Sequence, residues 1–338
     1  MAQAQVDVAK LNEAVREDSL QLQAATAEIR KVIVGQRELI ERMLVALLCR
    51  GHLLVEGVPG LAKTLAVKTL GQVLDLQFSR IQFTPDLLPA DLIGTLVYQQ
   101  KTGEFVPRKG PVFTSLLLAD EINRAPAKVQ SALLEAMQER QVTLGDTTHP
   151  LPDPFLVFAT QNPIEHEGTY PLPEAQVDRF LLKARVDYPK RDEEREIVQR
   201  TTGAAEAKLS AVISGPEIQQ AQETVRKVLV PDHVMDFVLD VVRKTRPRDP
   251  GVPPFVKELV EWGAGPRACQ QWVLGGKVRA ILQGRFHVTL DDLMALALPV
   301  LRHRIVPTFN AEAEGITVDE IVQKILDATP RGDARKVL

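Results

Sequence analysis

The sequence predicts an α/β domain followed by a smaller, helical domain. Short apolar runs alternate with helical segments from residue 52 to residue 186, a pattern typical of a parallel sheet covered by helices on both faces. After Tyr188 the strand patterns stop and helical periodicity takes over. With 338 residues, the chain also exceeds the roughly 250–300 residues at which one core usually stops growing. We therefore expect two domains.

The predicted elements follow from the apolar spacing along the chain. Residues 5–31 contain no Gly or Pro and carry apolar side chains at helical spacing, which predicts a helical arm. The predicted strands lie at 52–55, around Ile81 and Phe83, and at 115–119, 155–159 and 180–186. Hairpins are predicted at 95–107 and 141–151, and lid helices at 234–242, 266–282, 290–302 and 316–327. We place the boundaries at an arm of 1–30, an α/β core of 31–187 and a helical domain of 188–338.

Composition and charge exclude several classes of protein. The 41 Lys and Arg against 44 Asp and Glu give a net charge of −3, so the chain has no global basic field of the kind that drives nonspecific binding to nucleic acid, and we expect no nucleic-acid partner. Cys49 and Cys269 have no paired spacing, which argues against disulfides and suits a reducing compartment. No secretory leader and no run of about 20 apolar residues occurs, so we expect a cytoplasmic protein without membrane insertion.

A glycine-rich loop follows the first predicted strand directly and opens a helix. In such a loop backbone N–H groups can surround phosphate oxygens, Lys63 can reach the β- and γ-phosphates, and the Thr64 hydroxyl can hold Mg²⁺. The general pattern has glycine before the lysine, whereas this sequence has Ala62. A structural Gly-Pro turn is the alternative interpretation. The predicted loop consists of Gly57, Val58, Pro59, Gly60, Leu61, Ala62, Lys63 and Thr64.

Polar residues also follow the third and fourth predicted strands. Asp120 and Glu121 come directly after an apolar run, at the strand end where open α/β sheets bind ligands. We expect Asp120 to hold Mg²⁺ and Glu121 to deprotonate an attacking water, although Asp120 alone could equally cap the next helix. Asn162 can position a water or a phosphate oxygen, or simply close the strand in an Asn-Pro turn. Together with the loop, these residues predict nucleotide hydrolysis.

Four runs of the sequence, 57–64, 118–126, 160–163 and 168–180, together resemble the MoxR family of AAA+ ATPases. The resemblance extends from Val32 to at least Arg267, and Ala62 fits it because members often carry alanine before the lysine of Walker A. The run 168–180 is the most specific to the family. The implied fold is an AAA+ P-loop ATPase core, with a five-stranded parallel sheet, helices on both faces and inserted β-hairpins, followed by an all-α lid.

The resemblance implies site roles and the cofactors ATP and Mg²⁺. Lys63 and Thr64 match Walker A, Asp120 and Glu121 match Walker B, and Asn162 matches sensor 1.

Four further residues are assigned by the same resemblance. Arg179 matches the arginine finger that reaches a neighbouring subunit's nucleotide, and Arg267 matches sensor 2 of the lid. Gly35 and Gln36 belong to the segment that lies beside adenine. Without the family, a surface ion pair for Arg179 and a solvated helix start for Arg267 would be the simpler interpretations.

The resemblance also implies partners. It predicts a homohexameric ring, a client protein or enzyme complex, and a von Willebrand factor A domain partner on a separate chain, because no Asp-x-Ser-x-Ser motif occurs here. The two hairpins resemble the helix-2 insert and pre-sensor-1 hairpin, and Tyr98, Lys101 and Phe105 are candidate client contacts; ordinary surface hairpins are the alternative.

Three other functions remain open from sequence. A nucleic-acid-translocating or restriction-type motor is the first alternative, although the acidic balance and 5% aromatic content count against it. The second is a chelatase-type motor subunit. The third is a scaffold that binds ATP and assembles but hardly turns it over.

Overall fold

The computed structural model describes residues 7–58, 60–163, 169–203 and 207–331. Two compact units are present: one comprises residues 21–219, and the other combines residues up to Leu20 with those from Gln220 onward. We call them the core unit and the lid unit. Pro59 of the predicted loop and Gly168 of the family-specific run lie outside the described residues.

The helices are α1 (Val8–Arg30), α2 (Arg37–Leu48), α3 (Lys63–Val73), α4 (Pro89–Ile93), α5 (Ala127–Glu139), α6 (Glu174–Val177), α7 (Arg191–Thr202), α8 (Gly215–Lys227), α9 (Asp232–Lys244), α10 (Pro254–Leu259), α11 (Pro266–Leu282), α12 (Leu290–Leu301), α13 (Phe309–Ala313) and α14 (Val318–Asp327). The strands are β1 (Leu53–Gly57), β2 (Phe78–Gln82), β3 (Gly94–Gln99), β4 (Glu104–Lys109), β5 (Leu116–Asp120), β6 (Gln141–Leu144), β7 (Thr147–Pro150), β8 (Leu156–Gln161), β9 (Leu182–Val186), β10 (Val260–Trp262) and β11 (Val306–Pro307).

The core unit is built on a five-stranded sheet with the order β2-β5-β8-β1-β9. All neighbouring strands in it are parallel. Successive side chains point to opposite faces of a strand, and residues Leu116, Leu117, Leu118 and Ala119 of β5 are all fully buried. Both faces of the sheet are therefore covered, which confirms the predicted α/β class.

His52 fixes the start of β1 to two other elements. Its Nδ1 accepts a hydrogen bond from the Val157 N–H at 3.0 Å, so Nε2 carries the proton and donates to the Met137 carbonyl at 3.1 Å. Burial, reinforced by the charge of Arg140, lowers the pKa of His52 to about 3. The imidazole is consequently neutral, and it joins β1, β8 and the end of α5.

Both predicted hairpins are present in the core unit. Strands β3 and β4 pair antiparallel around the turn at Gly103, and β6 and β7 pair around Gly145. Gly145 has φ 60°, and a Cβ built on it would lie 2.5 Å from Cδ1 of Leu96 on β3. The turn of the second hairpin therefore lies against strand β3 of the first, and glycine is required at this contact.

The lid unit is helical, as predicted. The stripe on α9 is buried at Val234, Phe237, Val238, Val241 and Val242. The indole of Trp272, also fully buried, donates to the Leu293 carbonyl at 2.7 Å and so joins α11 to α12. The short helices α10 and α13 were not predicted, nor was the short antiparallel pair that β10 and β11 form. Strands of three and two residues are too short to show a period-2 pattern in the sequence.

The compact units and the predicted domains divide the chain at different places. Helix α1 contributes to both units, since the division falls after Leu20, and helix α8 is divided after Gln219 in the same way. The predicted boundaries at 30/31 and 187/188 follow changes in sequence pattern rather than packing, and they stay predictions. None of the helices in the part of the chain that the structure describes is both long and apolar enough to cross a bilayer.

Candidate functional site

A cavity of about 470 Å³ in the core unit collects most of the predicted site residues. It lies where β2, β5 and β8 end and α3 begins. Its lining consists of Gly60, Leu61, Ala62, Lys63, Thr64, Leu65, Arg80, Gln82, Asp120, Glu121 and Asn162. The structure thus brings together loop residues 60–64, the two acids at 120 and 121 and the asparagine at 162, which are far apart in the sequence.

The loop between β1 and α3 is shaped to leave backbone N–H groups available. Helix α3 begins at Lys63, and its N-cap residue Ala62 makes no side-chain cap hydrogen bond. The first turn of α3 also carries no acidic residue. Helix N-termini of this kind attract anions, because their first N–H groups lack partners within the helix.

Three loop residues explain its local geometry. Gly57 lies against β9, where a Cβ would be 2.7 Å from the Val186 carbonyl oxygen. Gly60 and Ala62 have φ values of 86° and 55°, so both adopt left-handed backbone conformations. The general preference for glycine at position 62 follows from that conformation. Val58 is half-buried within the loop.

Lys63 points back across the loop. Its Nζ donates to the Gly57 carbonyl at 2.6 Å. Burial lowers the pKa of Lys63, while the charges of Asp120 and Glu121 oppose that shift. An ammonium group held in this position, near two carboxylates, can exchange the carbonyl for a phosphate oxygen.

Asp120 ends β5 with both carboxylate oxygens hydrogen-bonded. Thr160 on β8 donates its hydroxyl to Oδ1 at 2.6 Å. Arg80 on β2 donates to Oδ2, from Nη2 at 2.7 Å and from Nε at 3.2 Å. The alternative role as a helix cap is wrong, because α5 begins seven positions later, with Pro126 as its N-cap. Oδ2 already faces a positive charge, as expected of a site that accepts a cation.

Glu121 has a left-handed backbone, with φ 57° and ψ 51°. Its Oε2 accepts from Gln82 Nε2 at 2.8 Å and lies 3.1 Å from Nε of Arg124, while its backbone N–H donates to the Thr160 hydroxyl at 2.8 Å. Non-glycine residues seldom adopt this conformation unless the surroundings hold them in it. The carboxylate is therefore aimed into the cavity by contacts from three segments.

Asn162 follows β8 and is 7% exposed. It lines the same cavity as the two acids.

A second, more apolar cavity of about 130 Å³ adjoins the first. Both cavities are lined by Gly60, Leu61, Ala62 and Leu65. The remaining lining residues of the second are Val32, Ile33, Val34, Gln36, Pro189, Ile197, Arg200 and Thr201.

The segment before α2 forms one wall of the second cavity. Gly35 has φ 65° and lies so close to Glu193 that a Cβ would be 2.6 Å from the carboxylate. Gln36 Nε2 donates to the Asp187 carbonyl at 3.4 Å. Arg200 of α7 donates to the Arg30 and Lys31 carbonyls at 3.0 and 2.8 Å. The role of Gly35 and Gln36 beside adenine, which the family resemblance implies, stays a prediction.

The two predicted arginines lie elsewhere. Arg179 is half-buried in the core unit, directly before the fully buried Phe180, and lines neither of the two cavities. Arg267 is exposed at the second residue of α11, in the lid unit. Their roles as finger and sensor stay predictions.

Sequence reasoning missed Arg80, Gln82 and Thr160. A weak signal existed, because Arg80 and Gln82 alternate with Ser79 and Ile81 and so share one face of a strand. What the sequence does not show is that β2 pairs with β5 in the register that sets Gln82 opposite Asp120.

Comparisons with known proteins show which family the chain resembles. Residues 52–182 match the family described as "ATPase family associated with various cellular activities (AAA)", and residues 255–325 match an AAA lid domain. The chain is 50% identical over 305 residues to the chaperone MoxR1 of Mycobacterium tuberculosis, covering 90% of this chain and 81% of that protein. The chain belongs to the MoxR family of AAA+ ATPases.

Two further relatives are similar to this MoxR-family chain over most of its length. It is 42% identical over 306 residues to the uncharacterised protein YeaC of Bacillus subtilis, covering 90% and 92% of the two chains. The crystal structure of a Cytophaga hutchinsonii protein assigned as an ATPase superposes with a TM-score of 0.90 at 43% identity, covering 96% of this chain and 98% of that one. Membership of the MoxR family supports ATP binding and hydrolysis in general and confirms the fold expected from the sequence.

Proposed function

We propose that the protein is a Mg²⁺-dependent ATPase whose subunits form a hexameric ring and remodel or mature client proteins. One observation carries the enzymatic part: Lys63, Thr64, Asp120, Glu121 and Asn162 line a single cavity at the end of the sheet. Their chemistry matches the needs of phosphoryl transfer, in which positioning and electrostatic stabilisation do most of the work.

The donor set fits magnesium and a nucleotide. Mg²⁺ prefers oxygen ligands, which the Thr64 hydroxyl and the Asp120 carboxylate supply, and when bound it neutralises charge on phosphate oxygens. Lys63 and the N–H groups at the start of α3 neutralise and orient the phosphates. Glu121 accepts the proton of the attacking water, and Asn162 holds that water or a γ-phosphate oxygen in place.

The second cavity supports ATP as the substrate. It is more apolar than the first, it shares a wall with the phosphate-binding loop, and Gln36 contributes a polar group to it. Adenine is a flat, mostly apolar base with polar edges, and such a base fits a cavity of this kind.

The proposed assembly and partners rest on family membership and on exposed side chains. Arg179 is proposed to act on the nucleotide of a neighbouring subunit, and Arg267 on that of its own. Tyr98 and Phe105 are 53% and 67% exposed, their rings 5.3 Å apart on the β3–β4 hairpin, and with Lys101 they are proposed to contact the client. A cytoplasmic location, with a von Willebrand factor A domain protein as partner, completes the proposal.

The enzymatic part is tested by Glu121→Gln. We expect the variant to bind Mg²⁺-ATP like the wild type while hydrolysis falls about 10²–10⁴-fold, because the general base is lost and the shape is kept. Binding is measured with a fluorescent ATP and turnover by phosphate release. Glu139→Gln, on the exposed end of α5, is the matched control. Hydrolysis at the wild-type rate in Glu121→Gln would refute the assignment.

The same variant tests the client. Expressed in cells, Glu121→Gln should remain bound to ATP and to whatever the ring holds, which mass spectrometry then identifies. Recovery of a von Willebrand factor A domain protein together with an enzyme complex would support maturation. Nucleic acid that survives a salt wash, without a protein partner, would favour a nucleic-acid motor instead.

A further inference from the structure

The ion pair between Arg80 and Asp120 is not explained by the roles assigned so far. Arg80 lies on β2, two residues before Gln82, whose backbone pairs with Asp120. From there its guanidinium reaches Oδ2 of Asp120 with two nitrogens, at 2.7 and 3.2 Å, and donates from Nη2 to Oε1 of Gln82 at 2.8 Å. Arg80 also lines the cavity itself.

This contact occupies the carboxylate that is expected to serve the metal. Since Thr160 donates to Oδ1 and Arg80 to Oδ2, neither oxygen of Asp120 is without a donor. The Asp120 side chain is 15% exposed, whereas that of Arg80 is 47% exposed. The acid is therefore fixed, and the arginine has room to move into the cavity.

We propose that Arg80 is the resident counter-cation of Asp120, which Mg²⁺ displaces, so that metal binding depends on bound nucleotide. A guanidinium and a divalent cation at the same oxygen repel each other. Phosphates in the cavity offer the released guanidinium an alternative anionic partner, to which arginine is well suited. The inference rests on the proposed nucleotide site and adds to it a residue that sets the metal requirement.

Arg80 should therefore have opposite effects on the binding of the nucleotide and on the binding of Mg²⁺. Without metal, the positive charge of Arg80 strengthens phosphate binding. With metal, the same charge opposes Mg²⁺ until Arg80 leaves Asp120. Loss of Arg80 should therefore weaken metal-free nucleotide binding and, at the same time, lower the Mg²⁺ concentration needed for half-saturation.

A second ion pair provides a matched control. Arg185 on β9 pairs with Glu56 on β1 at 3.1 Å, and the two side chains are 45% and 20% exposed. It thus resembles the Arg80 pair in strand location, distance and exposure, but neither of its residues lines the cavity.

The experiment compares the wild type with Arg80→Ala, Arg80→Gln and Arg185→Ala. A fluorescent, non-hydrolysable ATP analogue is titrated in EDTA and in excess Mg²⁺, and Mg²⁺ is then titrated at fixed analogue, so that binding rather than turnover is measured. For both Arg80 variants we expect metal-free affinity to fall about 3- to 10-fold and the half-saturating Mg²⁺ concentration to fall by a similar factor. Arg185→Ala should stay within about twofold of wild type. The neutral glutamine variant keeps side-chain volume and guards against a folding defect in Arg80→Ala.

The outcomes separate this inference from the proposed function. If the wild type binds no analogue in Mg²⁺, the nucleotide site itself is wrong and the inference falls with it. If the wild type binds but the Arg80 variants keep its half-saturating Mg²⁺ concentration or require more Mg²⁺, the role of Arg80 is overturned while the ATPase proposal stands.

Discussion

Ala62 adopts a left-handed conformation that the rest of the loop imposes on it, with φ 55° and ψ 20°. An L-residue in this region is strained by about 1–2 kcal/mol, and glycine is not. We expect Ala62→Gly to raise the free energy of unfolding by about 0.5–1 kcal/mol, because glycine's greater unfolded-state entropy offsets part of the gain. Urea denaturation measures this change in the free energy of unfolding.

The control for that prediction lies four residues further on. Ala66 is buried within α3, so Ala66→Gly should instead destabilise the protein by about 1 kcal/mol. Equal losses of unfolding free energy in Ala62→Gly and Ala66→Gly would show that the backbone at position 62 is not strained.

His52 gives the core unit a defined response to acid. Its pKa is about 3 in the fold and about 6.5 in an unfolded chain, so between these values the unfolded state binds more protons. Stability is therefore lost as pH falls below about 6.5, by up to about 1.4 kcal/mol per pH unit. In His52→Asn, the decrease in unfolding free energy between pH 7 and pH 5 should be about 2 kcal/mol smaller than in wild type.

A half-buried histidine of the same unit serves as the comparison. Denaturant titrations at pH 5 and pH 7 are made on His52→Asn and on His149→Asn. An undiminished pH dependence in His52→Asn would mean that other groups cause the acid sensitivity.

At the scale of elements, Gln130 ties two functional segments together. The side chain is 1% exposed, and the two N–H groups of its Nε2 are shared among the carbonyls of Ile122, Ala125 and Tyr170, which lie at 3.2, 3.1 and 2.9 Å. The Tyr170 N–H in turn donates to the Asn123 carbonyl at 2.6 Å. The segment after Glu121 and the segment leading towards Arg179 are thus joined.

Replacing this amide should loosen both segments. Gln130→Leu leaves buried carbonyl oxygens without a donor, so we expect a loss of about 1–3 kcal/mol and faster hydrogen exchange at the Tyr170 amide. Gln138→Leu, on the exposed face of the same helix, should change stability by less than about 0.5 kcal/mol. An unchanged hydrogen-exchange rate at the Tyr170 amide in Gln130→Leu would contradict the proposed link between the two segments.

An element could be predicted from the sequence when the residues that determine it lie close together along the chain. The strand β5 and the acid after it were predictable because an apolar run and its polar end lie within six residues of sequence. The hairpins were predictable for the same reason, from Gly103 and Gly145. Arg80 was not, since its role depends on which strand lies beside β2, and that partner begins 38 residues after β2 does.

At the scale of the whole molecule, the proposed ring makes each active site a product of two subunits. Arg179→Ala and Glu121→Gln should each be nearly inactive, because an arginine finger is worth about 10³–10⁵ in rate. Mixed at equal amounts, they should recover up to about a quarter of wild-type turnover, since a Glu121 from one variant then meets an Arg179 from the other.

Phosphate release from the mixture, read over a range of protein concentrations, measures this complementation. If the two variants exchange subunits but the mixture recovers no turnover, Arg179 does not act on the nucleotide of a neighbouring subunit. Turnover strictly proportional to concentration in wild type would argue against assembly as part of the reaction.

In the proposed nucleotide site, the four residues that line both cavities connect the phosphate end and the base end of the nucleotide through one piece of backbone. Recognition of the base and of the phosphates is then not separable into independent contributions. A thermodynamic cycle that combines a change at one of these four residues with removal of the base, or of the terminal phosphate, should be non-additive in both cases. Selectivity for the base therefore could not be redesigned here without also altering how tightly the phosphates are held.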